Sequence, residues 1–110
     1  MSNLPVNVDV LKTYVGDNPE IIAQFLSNFR VWANESAQKV VSAQAARDCA
    51  EIAAQAHQLK SSARSMGALK LGALCEQLEQ AGKSADMTAA AEIIPTFQAE
   101  VARVLDYLAR

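Results

Sequence analysis

The side chain with the clearest chemical potential in this sequence is His57, the single histidine of the chain. Positions advance by about 100° per residue around a helix axis, so the place of each side chain on a predicted helix can be calculated. Counted from the apolar Ile52, His57 falls at about 140° and therefore points away from the core. Lys60, Ser61 and Arg64 follow on the same outward face, one and two turns later. The sequence thus predicts an exposed histidine close to two cations.

This face suits a histidine that accepts a negatively charged group. Nearby cations disfavour the imidazolium form, so we expect a neutral, nucleophilic ring near neutral pH. The same cations would stabilise an anionic group transferred to a ring nitrogen, and Ser61 keeps the approach to the ring small. No acidic residue occurs between His57 and Lys70, although the whole chain is acidic. The spacing predicts a positive surface for an acidic, phosphate-bearing partner, with an ordinary solvated histidine as the alternative.

The elements that position this face are helical. Alanine is abundant, with 21 residues, and aromatic residues make up only 5% of the chain, which favours an all-α fold over a sheet. Apolar residues at helical spacing predict helices over residues 8–15, 19–43, 48–66, 69–81 and 87–108. Short connections between the longer segments predict an antiparallel up-and-down four-helix bundle with a short extra N-terminal helix. Residues 1–110 are expected to form one domain.

Capping and breaking residues define the predicted boundaries. Asn18 suits the N-cap and Pro19 the first position of the second helix. Gly67 and Gly82 are expected to end the third and fourth helices as C-caps. Pro95 falls inside the last helix, where we expect a kink or a short separate helical turn. The predicted core positions of the four long helices are Ile22, Phe25, Leu26, Phe29, Ala33, Ser36, Val40; Ile52, Ala56, Leu59, Ala63, Met66; Leu71, Leu74, Cys75, Leu78; Val101, Val104, Leu105 and Leu108.

Composition argues against several functional classes. A formal charge of −2 lacks the basic footprint of a nucleic-acid-binding domain. No apolar run approaches the roughly 20 residues that span a bilayer, and the N-terminus does not resemble a signal peptide. Cys49 and Cys75 have no metal-site spacing, so we expect reduced thiols and no bound metal. No Gly-rich phosphate loop is present, so ATP binding is not expected.

One stretch of the sequence resembles a known family. It reads Ala56-His57-Gln58-Leu59-Lys60-Ser61-Ser62-Ala63, then Gly67-Ala68, then Leu74-Cys75-Glu76-Gln77-Leu78-Glu79. This is similar to the signature His-x-Leu-Lys-small-small-small-x-x-x-Gly-Ala of the histidine-containing phosphotransfer (HPt) domains of bacterial phosphorelays. The segment Tyr14-Val15-Gly16-Asp17-Asn18-Pro19-Glu20 is also typical of that family. The resemblance covers essentially the whole chain.

The resemblance implies a role for each matching residue. His57 matches the phosphoacceptor, and Lys60 matches the lysine that offsets the phosphoryl charge. Ser61 stands where many members have glycine, a position that stays small so that a receiver domain can approach. Gly67 matches the family glycine, which we interpret as a helix C-cap.

Two further candidate site residues are Glu79, which the resemblance supports, and Arg64, which it does not. Glu79 matches a position often held by Gln or Glu that can hydrogen-bond the imidazole. A carboxylate there could accept the Nδ1 proton and leave Nε2 free to attack, although a plain solvated glutamate is the alternative. Arg64 has no family counterpart and rests on its place on the helix face.

The family resemblance implies a phosphocarrier that accepts a phosphoryl group from a receiver aspartate and passes it to another receiver aspartate. The implied partners are response-regulator receiver domains and a sensor histidine kinase, and Mg²⁺ is expected from the receiver. We expect a cytoplasmic monomer without kinase activity of its own, as a free-standing protein or, as we favour, part of a hybrid sensor kinase. The candidate docking residues are Val10, Leu11, Tyr14, Val15, Ile21, Ile22 and Phe25.

Three other functions are compatible with a helical bundle. A pure interaction module would bind its partner without phosphorylation, and replacing His57 would leave its function intact. A metal or haem bundle needs inward-facing ligands from several helices, which one outward histidine and one core cysteine do not supply. A hydrolase with His57 as base needs a nucleophile and an orienting acid, and Ser61 alone indicates no such pocket.

Overall fold

A computed structural model describes residues 4–109 of the chain. Within that range the helices are α1 (Val8–Val15), α2 (Pro19–Ala45), α3 (Cys49–Met66), α4 (Leu69–Lys83) and α5 (Met87–Leu108). Each long helix packs against the next one, α5 closes the bundle against α2, and α1 packs on α2 and α3. The predicted all-α four-helix bundle with a short extra N-terminal helix is confirmed. None of the described helices is long and apolar enough to cross a membrane.

Four of the five described helices, all except α4, begin at side-chain caps. Asn18 Oδ1 accepts a hydrogen bond from the backbone N–H of Glu20 at 2.9 Å, with Pro19 in the first helical position. Asp48 and Asp86 cap α3 and α5 in the same way. These side chains satisfy backbone donors that have no partner within the helix, which fixes where these helices start.

Gly67 ends α3 as predicted, and it also positions α1. Its φ of +80° is in the left-handed region, and the N–H of Ala68 closes the helix end on the carbonyl of Ala63 at 2.8 Å. The carbonyl of Gly67 accepts a hydrogen bond from the backbone N–H of Asn7 at 2.9 Å. A Cβ at Gly67 would collide with the carbonyl of Asn7, the residue that caps α1. Glycine is therefore required both for the turn and for the contact with the start of α1.

The prediction that Gly82 ends the fourth helix was wrong. Helix α4 continues to Lys83, and a residue of positive φ, Ala85, lies in the turn that follows. Gly82 is buried against α3, where a Cβ would lie 2.7 Å from the carbonyl oxygen of Cys49 and 2.8 Å from the amide nitrogen of Ala53. The glycine therefore serves the close approach of α3 and α4 rather than the end of a helix.

Helix α5 runs without interruption through Pro95, so the expected separate turn is absent. Proline lacks the N–H that would bond the carbonyl four residues earlier, which is that of Ala91. Both residues are exposed. Water can therefore satisfy this carbonyl, and the helix continues past the proline.

The core prediction holds for α3 and α4, whose predicted core residues are all buried, and it fails at the edges of α2 and α5. Phe25 is 40% exposed, because it lies about 60° around the helix from Ile22, whereas Phe29, Ala33 and Val40 lie within about 20° of it. Four other predicted core residues are only half-buried: Leu26, Ser36, Leu105 and Leu108.

Gly82→Ala should destabilise the protein, although alanine is the better helix former. Its Cβ meets backbone atoms, so the overpacking cost of about 1–3 kcal/mol should exceed the propensity gain of about 1 kcal/mol. Gly72→Ala is the matched control. Gly72 is also buried inside α4, but its Cβ would meet the movable side chain of Arg64, at 3.1 Å from Cγ.

The free energies of unfolding of both variants can be measured by urea denaturation. We expect a decrease for Gly82→Ala and no decrease for Gly72→Ala. Equal stabilities would contradict a close contact between the backbones of α3 and α4 at this point.

Candidate functional site

The exposed histidine and a buried carboxylate meet between α3 and α4. The side chain of His57 is 62% exposed on the outward face of α3, as its helical position predicts. Its Nδ1 lies 3.0 Å from Oε2 of Glu79, a residue of α4 that is only 2% exposed. The plain solvated glutamate considered above is therefore excluded at this position.

Small residues allow the two helices to bring these groups together. Gly82 lies one turn after Glu79 on α4, and Ala53 lies one turn before His57 on α3. The close contact of Gly82 with Ala53 places the two backbones near each other at this level of the bundle. The glutamate side chain can then reach the imidazole from within the interface.

Two lysines complete the surroundings of the buried carboxylate. Lys60 Nζ lies 2.6 Å from Oε1 of Glu79, and Lys83 Nζ lies 3.0 Å from Oε2, the oxygen that also meets His57. Among residues 4–109, Oε1 has no hydrogen-bond partner of good angular geometry, so Lys60 meets it as an ion pair. Lys60 Nζ also donates to Glu76 Oε2 at 2.7 Å.

These lysines decide the ionisation of Glu79. The ammonium groups of Lys60 and then Lys83 lower the pKa of the Glu79 carboxyl to about 2, although its burial acts in the opposite direction. The group is therefore an ionised carboxylate at neutral pH, which can only accept hydrogen bonds. In the neutral ring, His57 must then donate from Nδ1, and Nε2 carries the free lone pair.

The charge of the site differs from the positive surface that the sequence predicted. Helix α4 places Glu76 and Glu79 beside Lys60, and these carboxylates raise the pKa of the lysine. Lys60 in turn lowers the pKa of Glu76, helped by a hydrogen bond from Gln80. The cluster thus contains two lysines and two glutamates, and the expectation of a locally positive surface was wrong. It failed because the acidic residues come from the neighbouring helix.

The other candidate site residues lie at different distances from this cluster. Ser61 is exposed on the face of His57. The stem of Arg64 lies over Gly72 of α4, and in the described part of the chain it forms no ion pair with the two glutamates. Gly67 acts at the end of α3, where it fixes α1. Of the predicted residues, the structure therefore brings together His57, Lys60 and Glu79.

Some of the candidate docking residues are exposed, and others are half-buried or buried. Tyr14, Ile21 and Phe25 are exposed, and Val10 and Val15 are half-buried. Leu11 and Ile22 were wrong as docking candidates, because both are buried in the core and cannot reach a partner.

Trp32 of α2 is exposed. It lines a groove between α2 and α3 together with Gln58 and Ser62. The exposed apolar stripe of α2, formed by Ile21, Phe25 and Trp32, therefore borders the helix that carries His57.

Sequence reasoning missed Glu76 and Lys83. Both lie on the same side of α4 as Glu79, three residues before it and four residues after it, which is the spacing of neighbours on a helix surface. That spacing could have grouped the three residues on α4. It could not have shown that the group faces His57, because the register between two helices is not contained in the pattern of one.

No metal centre is evident around the histidine. In residues 4–109, no three His, Cys, Asp or Glu side chains come together in a way that could hold a metal ion. The two carboxylates of the site are already engaged by lysines. Cys49 and Cys75 are free thiols, and burial raises the pKa of Cys75 to about 12.

Comparison with known proteins identifies the family. Residues 9–107 match the family model of the Hpt domain. A solved structure of similar fold is the crystal structure of histidine-containing phosphotransfer protein B (HptB) from Pseudomonas aeruginosa PAO1, with a TM-score of 0.88 and 22% sequence identity over 98% of this chain and 94% of that chain. No curated protein sequence matches the chain. The chain therefore belongs to the Hpt domain family, the histidine phosphotransfer domains that carry phosphoryl groups in phosphorelays.

Proposed function

We propose that Nε2 of His57 accepts a phosphoryl group from the aspartyl phosphate of one receiver domain and passes it to the aspartate of another. The observation that carries this proposal is the contact of His57 Nδ1 with the ionised, buried Glu79 at 3.0 Å. His57 is also the single histidine of the chain, so a histidine phosphocarrier has no other acceptor here.

In the proposed step, no proton leaves the attacking nitrogen. The Nε2 lone pair forms the new P–N bond, the P–O bond to the receiver aspartate breaks, and the aspartate leaves as a carboxylate. The ring gains positive charge because Nδ1 keeps its proton. Glu79 offsets this charge through the hydrogen bond it accepts from Nδ1. Transfer to the second receiver is the same step in reverse.

Lys60 is the supporting cation on the same helix. Its ammonium stays charged, since Glu76 and Glu79 raise its pKa, and it lies one turn from His57. A phosphoryl group brings negative charge that this ammonium can offset. Ser61 contributes a small exposed side chain beside the ring, which leaves room for the loops of a receiver.

The metal of the reaction belongs to the partner in this proposal. Phosphoryl transfer depends on positioning and on neutralisation of charge, for which Mg²⁺ is commonly used. Glu76 and Glu79 are occupied by lysine contacts, which supports a receiver as the source of Mg²⁺.

Hpt domains interact with receiver domains and kinases, and the docking surface for the receiver is proposed on α2. Ile21, Phe25 and Trp32 form an exposed apolar stripe next to α3, and Tyr14 of α1 is exposed as well. Apolar and aromatic anchors of this kind carry most of the energy of protein interfaces. A monomeric carrier acting in the cytoplasm is part of the same proposal.

Replacing His57 tests the proposed function. The wild-type domain, incubated with a receiver that carries labelled phosphate and with Mg²⁺, should take up label that is labile in acid and stable in alkali. His57→Gln should take up none, because glutamine offers no nucleophilic nitrogen. Label that persists in His57→Gln would contradict the role of His57. No transfer to the wild type from any of several receivers would favour the interaction module instead.

Phe25→Ser tests the docking surface. The loss of an apolar anchor should raise the receiver concentration that gives half-maximal transfer by on the order of tenfold. The maximal rate should stay unchanged, since Phe25 lies on α2, whereas the residues of the Glu79 cluster lie on α3 and α4. Val41→Ser is the matched control, because Val41 is a similarly exposed residue of α2 that lies about 160° around the helix. An equal effect of both substitutions would rule out a specific docking face.

A further inference from the structure

Lys83 contacts the same carboxylate oxygen of Glu79 as His57 does. It is the last residue of α4, its side chain is 60% exposed, and its Nζ lies 3.0 Å from Glu79 Oε2. That oxygen is also 3.0 Å from Nδ1 of His57. Lys60 meets the other oxygen from α3. The orientation of the carboxylate is thus set by one ammonium on each oxygen, and only Oε2 is shared with the imidazole.

The pair of Glu79 and Lys83 differs from an ordinary surface ion pair. Glutamate followed by lysine four residues later is a favourable spacing on a helix, but exposed pairs of this kind contribute little. Here the carboxylate is only 2% exposed, so it cannot exchange its protein contacts for water. A buried carboxylate that loses one of its cations keeps a charge that its remaining partners compensate only in part.

We propose that Lys83 is a positioning residue of the phosphotransfer site, which keeps Oε2 of Glu79 directed at Nδ1 of His57. This inference rests on the proposed function for its effect on the reaction, whereas the geometry it invokes exists in the unphosphorylated domain. Without Lys83, the remaining cation on the carboxylate is Lys60 at Oε1, and the carboxylate can turn towards it. The imidazole then loses part of the contact that keeps the proton on Nδ1 and the lone pair on Nε2.

The test compares Lys83→Gln with a matched control on the same helix. Lys70 of α4 is 64% exposed and lies 3.8 Å from the buried carboxylate of Glu100, which resembles the setting of Lys83 away from His57. For Lys83→Gln, the maximal rate of phosphoryl uptake from a labelled receiver should fall about tenfold, by analogy with the loss of groups that orient metal-ligating histidines. The receiver concentration for half-maximal rate should not change. Lys83→Arg should restore most of the rate, and Lys70→Gln should behave as wild type.

A second measurement does not depend on phosphotransfer. Nitrogen NMR of the imidazole in the unphosphorylated proteins should show a smaller fraction of ring protonated at Nδ1 in Lys83→Gln than in wild type or Lys70→Gln. An unchanged maximal rate together with an unchanged tautomer would overturn the proposal. A change only in the half-maximal receiver concentration would also overturn it and make Lys83 a docking residue. If the wild type itself takes up no phosphoryl group, the proposed function fails, and the NMR comparison alone decides the role of Lys83.

Discussion

The buried carboxylate of Glu79 is the constraint on which the rest of the site depends. Ionised groups are rarely buried without partners, because the loss of hydration is large unless cations or donors replace the water. Glu79 finds these partners in Lys60, Lys83 and His57, which come from two helices. Helices α3 and α4 must therefore stay close and in one register, and Gly82 permits this because any Cβ would collide with the backbone of α3. A buried group of the bundle thus determines the hydrogen bond of an exposed histidine.

In the proposed mechanism, the same carboxylate explains how a surface histidine can react in both directions. Through Nδ1 it holds the ring in the tautomer whose free lone pair is on Nε2, and it offsets the positive charge that the ring gains when a phosphoryl group is attached. The cluster contains as many glutamates as lysines, so the formal charges of these four residues balance.

Much of the fold follows from the sequence, since caps and apolar periodicity are local. Asn18 and Gly67 marked helix ends correctly, and the helical position of His57 predicted its exposure. Contacts between helices were harder to predict from the sequence. Gly82 was interpreted as a helix end, because a glycine at a C-cap and a glycine at a close helix contact have the same local sequence signal. The burial of Glu79 beside His57 was also hidden, since it depends on the register between α3 and α4.

The central claim is that Glu79 fixes the tautomer of His57 so that Nε2 is the reactive nitrogen. Long-range proton–nitrogen NMR of the wild-type imidazole tests this most directly, in the free domain and after phosphorylation by a receiver. We expect the neutral ring to be protonated at Nδ1 and the phosphorylated ring to carry phosphorus on Nε2. A neutral ring protonated mainly at Nε2, or phosphorus on Nδ1, would contradict the account.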